Sequence, residues 1–155
     1  MGINIRFSNE IDIVALLNEP VQKLHKNLYS EYFKDYSFEE TKNQLEQQLK
    51  DENRKCCIAA YDGVDVGYAL FFKRDYKENP FRKSYKGIHI DQISVLEGYK
   101  HKGIGKAIMK AIFNYAKNNG ATQIELLHWE KNEEAKTFYE KQGFETQMRF
   151  VVKKI

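Results

Sequence analysis

Val95-Leu96-Glu97-Gly98-Tyr99-Lys100-His101-Lys102-Gly103-Ile104-Gly105-Lys106 joins a strand pattern, residues 88 to 96, to an amphipathic helix pattern. The helical stripe is Ile104, Ala107, Ile108, Ala111, Ile112, Tyr115 and Ala116, and it stops at Gly120, a residue type suited to the position after a helix. Gly103 and Gly105 let backbone N–H groups come close to a ligand, and the helix start beyond them offers unpaired donors at the positive end of its dipole. Lys100, Lys102 and Lys106, with His101, add positive charge. Such a turn suits an anionic diphosphate. The plainer alternative is a pair of turn glycines before a solvated helix start. Two familiar phosphate loops are excluded. Gly98 and Gly103 have Walker A spacing, but Ile104-Gly105 stand where Lys-Ser/Thr is required. A dinucleotide fingerprint needs a small residue three positions after Gly105, where Ile108 stands.

Working outward, residues 3 to 7 alternate as a short strand, and a helix over about 10 to 29 follows, with Pro20 expected to kink or break it. An aromatic connection carries Tyr29, Tyr32, Phe33 and Tyr36, and Ser37 opens a helix to about Asn53 with Glu39 and Glu40 in its first turn. Cys56 to Tyr61 and Val66 to Lys73, around Asp62-Gly63, read as a hairpin. Residues 74 to 87 read as a basic loop. After the central helix come a strand from Thr122 to Trp129, a helix from Glu133 to Gln142 closed by Gly143, and a last strand from Phe144 to Val152. The order β-α-α-β-β-β-α-β-α-β predicts an α/β (α+β by some schemes) fold: one domain over 1–155, a mixed, mostly antiparallel sheet with helices on both faces.

Composition limits the function classes. At 155 residues, 42% of them hydrophobic, the chain can bury a full core, which excludes a disordered protein. A net charge of +3 is small for a dedicated nucleic-acid binder, and no apolar run approaches the roughly 20 residues that a membrane-spanning helix needs. Neither nucleic acid nor a membrane is expected as partner. Cys56 and Cys57 are adjacent on a strand and point to opposite faces, so no disulfide joins them. With no secretory leader visible at the start, a reduced cytoplasmic protein is expected.

Lys100-His101-Lys102-Gly103-Ile104-Gly105 resembles the Q/R-x-x-G-x-G/A cofactor loop of the GNAT acetyltransferase superfamily, with Lys100 where that family usually carries Gln or Arg. Asn132-Glu-Glu-Ala135-Lys-Thr-Phe138-Tyr139-Glu-Lys-Gln-Gly143-Phe144 is similar to its late N-x-x-A-x-x-F-Y-x-x-x-G-F signature. The resemblance implies an N-acetyltransferase that passes the acetyl group of acetyl-CoA directly to a primary amine of a small molecule or protein, with no metal. It implies that the Ile93, Ser94 and Val95 backbone holds the pantetheine arm, that Lys100, His101, Lys102, Gly103, Ile104, Gly105 and Lys106 hold the diphosphate, and that Asn132 holds the CoA arm.

A protonated amine must lose a proton before it attacks, and the departing thiolate must gain one. By the same resemblance Tyr139 is the general acid, with packing beside Phe138 as the bland alternative. Asp91, which by the family register points the same way as Ile93 and Val95, is the candidate base, with Glu97, His89 or an ordered water as the alternatives. Asn132 also fits an N-cap. The resemblance implies that Tyr29, Tyr32, Phe33 and Tyr36, together with the basic loop, shape the acceptor side; the rings would suit a cationic amine, whereas the loop would suit an acidic group or the 3′-phosphate of CoA. His128 and Trp129 line the cleft or pack. A CoA-binding sensor or docking module of the same fold is the alternative function. A monomer and a homodimer fit the sequence equally.

Overall fold

The computed structural model describes residues 2–155. Its elements are β1 (Ile3–Phe7), α1 (Ile11–Leu17), α2 (Glu19–Leu28), α3 (Phe38–Gln48), β2 (Arg54–Tyr61), β3 (Val64–Tyr76), β4 (Tyr85–Val95), a 3-10 turn (Glu97–Tyr99), α4 (Ile104–Asn118), β5 (Gln123–Leu126) and α5 (Glu133–Lys141). The strands form one sheet in the order β1-β2-β3-β4-β5, antiparallel except for the parallel β4–β5 pair, where α4 supplies the crossover.

Strand alternation divides the core into two halves. Cys57, Ala59, Ala69, Phe71, Ile88 and Ile90 face α4, whose Ile104, Ile108, Met109, Ile112 and Ala116 are buried against them. Cys56, Ile58, Tyr68 and Leu70 face Val14, Ala15 and Leu17 of α1 and Leu45 of α3. The adjacent cysteines therefore point into opposite halves, and burial pushes both thiols up to about 12, leaving them protonated.

The break at Pro20 is real, and a buried polar network fixes it. Asn18 closes α1 and opens α2, and its side chain donates to the Tyr68 hydroxyl at 3.0 Å and to Gln92 Oε1 at 3.1 Å. The Tyr68 hydroxyl donates in turn to Gln92 Oε1 at 2.7 Å, so the helix junction is tied to the middle of β4. Asn18→Ala leaves the buried Tyr68 oxygen without its donor. The expected cost is about 1–2 kcal/mol, a Tm fall of roughly 3–8 °C by calorimetry, and an unchanged Tm would deny the network this role.

Three boundaries differ from the sequence pattern. α3 ends at Gln48 rather than near Asn53, and β5 is only Gln123–Leu126. β3 and β4 extend through Tyr76 and from Tyr85, so the basic loop shrinks to residues 77–84. The stacked Tyr76 and Tyr85 rings, 4.2 Å apart, hold the hairpin closed there. The largest departure is at the C-terminal end. Residues 145–155 form no strand, and Met148, Phe150, Val151 and Val152 are exposed. Alternating apolar residues give a segment the means to pair, but the pairing needs a partner strand that this chain does not place beside it.

Candidate active site

β4 and β5 pair only from Gly87–Gln123 to Ile90–Leu126, whereas β4 runs on to Val95. Beyond Ile90 the two strands part, and on the side away from β3 no strand among the described residues lies beside Ile93, Ser94 and Val95. Because the pair is parallel, Leu127, His128 and Trp129 continue β5 along the opposite wall of the resulting cleft. Backbone donors and acceptors of β4 are thereby available to an extended ligand lying between the walls.

A bulge sets the side chains on the β4 wall. Leu70 pairs with Gln92 and Phe71 with Ile90, leaving Asp91 as the extra residue. Ile90 and Ile93 both face α4, three positions apart instead of two. Asp91 does not point with Ile93 and Val95 as expected. It turns to the α1 side, where Arg54 lies 4.6 Å above the Phe72 ring and places Nη1 3.6 Å from Asp91 Oδ2. Arg54, which no motif singled out, reaches Asp91 across β3 and is visible only once the strands are paired.

The reserve bases are placed elsewhere. His89 Nδ1 lies 3.0 Å from Glu125 Oε2 in the stretch where β4 and β5 still pair, with its ring stacked on Phe72. Glu125 also accepts the Tyr76 hydroxyl at 2.6 Å; burial works to raise its pKa, but these bonds prevail and lower it. Glu97 lies past the end of β4, largely exposed, and pairs with Lys100 at 3.1 Å.

At the far end of β4 the chain turns through His101 and Gly103, both with positive φ (62° and 83°), into α4. Glycine adopts the second conformation without the steric cost of a Cβ. Among the described residues, no backbone or side-chain acceptor pairs with the N–H groups of His101 through Lys106. Clustered at the start of α4, these donors have the polarity an anion requires. Gly105 also meets a packing need: a Cβ there would lie 2.9 Å from Phe138 Cε1, so its absence lets α5 pack on the start of α4. Lys100 is also not a free cation. Its Nζ lies 2.6 Å from Glu134 and 3.1 Å from Glu97; burial disfavours its charge, but the two carboxylates outweigh that and raise its pKa. Lys102 and Lys106 are exposed.

α5 brings the second motif to the same cleft. Asn132 Oδ1 accepts from Ala135 N at 3.2 Å, which makes it the N-cap and leaves its amide N–H groups to donate. Tyr139 packs against Phe138, Phe144 and His128, the last at 6.0 Å between ring centroids, so its ring sits beside the β5 wall. Burial raises the phenol pKa well above its ordinary value, keeping the hydroxyl protonated. Trp129 is the hub of an aromatic wall, with Tyr29, Phe33 and Tyr32 at 4.6, 5.1 and 5.8 Å. Tyr36 lies apart and donates to Ala15 O at 2.7 Å.

Residues 18–144 match the Acetyltransferase (GNAT) family. The chain belongs to the GNAT acetyltransferase family. Acetyl-CoA is the acetyl donor of this family. An uncharacterised N-acetyltransferase of Mycobacterium tuberculosis is 30% identical over 63% of this chain and 57% of that protein, so the match spans little more than half of the curated relative. An L-ornithine N5-acetyltransferase of Arabidopsis thaliana is 32% identical over 53% of this chain and 34% of its own length. Among solved structures, a tetramutant of a Bacillus halodurans protein superimposes with a TM-score of 0.92 at 22% identity, covering 98% of this chain and 99% of that one. An aminoglycoside N-acetyltransferase in complex with CoA gives 0.71 at 20% identity, covering 99% and 94%. At these identities the structural likeness concerns the GNAT fold.

Proposed function

We propose that residues 1–155 act as one cytoplasmic N-acetyltransferase domain that transfers the acetyl group of acetyl-CoA directly to a cationic primary amine. The observation that carries this reading is the run of unpaired N–H donors from His101 to Lys106 at the start of α4, beside the open edge of β4. The donors suit the CoA diphosphate, and the Ile93–Val95 edge suits the amide-bearing pantetheine arm, with the free Asn132 amide beside it. When bound, acetyl-CoA supplies an activated thioester. Asp91 takes a proton from the acceptor ammonium, directly or through water, and Arg54 positions its carboxylate. Tyr139, kept protonated by burial, donates to the departing sulfur.

The aromatic wall supports a cationic acceptor. Two of its rings already carry ammonium groups from the chain itself: Lys131 Nζ lies 4.9 Å from the Tyr29 ring centre and Lys154 Nζ 4.5 Å from that of Tyr32. The competing basic loop lies at the opposite end of β4. From Tyr85 to Asp91 the strand rises about 20 Å, which removes residues 77–84 from the CoA end of the cleft in the same chain.

Calorimetry with acetyl-CoA, followed by thiol release across an amine panel, tests the proposal. Binding with thiol release on cationic amines is the expected result. Binding without release on any amine would favour a CoA-responsive docking module, and absence of binding would defeat both readings. Glu134→Gln should leave Lys100 with one carboxylate instead of two and tighten acetyl-CoA binding about two- to fivefold at low salt. Unchanged affinity would mean that the Lys100 charge does not reach the ligand.

A further inference from the structure

The hairpin of β3 and β4 ends in a feature that the acetyl-transfer cleft does not use. Residues 77–84 project beyond the last strand pairs made with its neighbours, Arg54–Phe72 with β2 and Gly87–Gln123 with β5. At the apex Phe81 is 93% exposed, with Pro80, Arg82 and Lys83 exposed around it. The turn that presents the ring is closed by hydrogen bonds. Asn79 N–H donates to Arg82 O at 3.0 Å and Arg82 N–H to Asn79 O at 3.3 Å, while Asn79 Oδ1 accepts from the N–H groups of Phe81 and Arg82 at 2.8 and 3.0 Å. Asn followed by Pro favours such a turn. Below it the Tyr76 and Tyr85 rings stack, and the Tyr76 hydroxyl donates to Glu125 at 2.6 Å. Phe81 is thus held away from the body on a braced support.

Charge is concentrated on the same hairpin. Residues 73–88 carry Lys73, Arg74, Lys77, Arg82, Lys83 and Lys86 against Asp75 and Glu78, six cations to two carboxylates, which leaves 19 Lys and Arg against 20 Asp and Glu in the rest of the chain. The hairpin is therefore +4 and the remainder −1. Among the described residues two of the six cations are ion-paired, Arg74 with Glu125 at 3.6 Å and Lys77 with Asp75 at 2.8 Å.

We propose that this hairpin tip docks on an anionic phospholipid bilayer, with Phe81 entering the interface and Arg82, Lys83 and Lys86 meeting lipid phosphates. The leading group is an aromatic ring on a convex apex, which a fluid interface accepts without a matching pocket. The cations stand behind it, where their long stems reach the headgroups while the ring lies deeper. A nucleic acid is met by leading cations and tracked along a groove, whereas this apex offers Pro80 and Phe81 first. The expectation against a membrane partner rested on the lack of a spanning segment. No helix among the described residues is long and apolar enough to cross a membrane, and a surface contact through one hairpin requires none. The diphosphate turn lies past the opposite end of β4, so docking leaves it facing water. The inference does not depend on the acetyl-transfer reading.

Co-sedimentation of the full chain with vesicles tests it, comparing phosphatidylcholine alone with phosphatidylcholine carrying about one quarter phosphatidylglycerol, at about 50 mM salt. Partition at least about tenfold stronger on the anionic vesicles, and falling steeply by about 200 mM salt, is expected. Phe81→Ser should weaken it at least about fivefold, and Arg82→Glu combined with Lys83→Glu at least about tenfold, with the circular dichroism retained because these side chains are exposed. No partition, or partition indifferent to both changes, overturns the proposal. An environment-sensitive dye on Ser84→Cys reads the tip itself, since the native cysteines are buried, and its emission should shift to the blue on anionic vesicles. Binding without that shift would place the contact elsewhere on the chain and overturn the assignment to the tip. Retention of a single-stranded RNA oligomer with no vesicle partition would give the tip to nucleic acid and overturn it equally.

Discussion

Tyr139→Phe is expected to lower turnover by at least about two orders of magnitude while acetyl-CoA affinity changes less than about threefold. The substitution keeps the ring that packs against His128, Phe138 and Phe144 and removes only the hydroxyl. If Tyr139 serves only in packing, turnover survives, and steady-state kinetics with a binding titration decides between the two outcomes. The pH dependence gives a second reading. Burial raises the phenol pKa, so the acid form persists on the alkaline side, and Tyr139 should cause no fall in kcat below about pH 10. An alkaline decline near pH 8 that disappears in Tyr139→Phe would contradict the burial seen here.

Gly105→Ala is expected to damage both stability and cofactor binding. Its Cβ would lie 2.9 and 3.1 Å from two ring carbons of Phe138, so α5 must tilt or the ring must leave its site. Overpacking of this kind costs about 1–3 kcal/mol. The strain falls between the unpaired N–H groups at the start of α4 and the helix that carries Asn132 and Tyr139, so acetyl-CoA affinity should fall about tenfold or more. Phe138→Leu in the same chain makes room and should recover much of both losses. If Gly105→Ala melts and binds as the wild type does, the close approach of the two helices is not what requires glycine.

Much of the candidate site was legible because its two motifs are local. The glycine turn from Lys100 to Lys106 and the segment from Asn132 to Phe144 each occupy one short stretch, and helix periodicity alone places them at the start of α4 and along α5. Cys56 and Cys57 were legible for the same reason, since strand alternation separates them. Asp91 was not, because a bulge inserts one residue and reverses the face on which it lies; whether a strand bulges depends on its neighbour's register. The double pairing of Lys100 was half legible: Glu97 stands three residues away, but Glu134 is brought in by the packing of α5.

The sequence by itself determined the order of elements as far as α5, the break at Pro20, the two-faced core and the family to which the chain belongs, all of which follow from periodicities and motifs within a few tens of residues. Tertiary structure decided which carboxylate meets Arg54, why position 105 must lack a Cβ, and where β4 and β5 part to open a cleft. It also showed that the alternating segment after Phe144 has no partner strand among the described residues. Alternation specifies that a segment can pair, whereas the identity of the partner edge depends on long-range placement, which the described residues do not supply for residues 145–155.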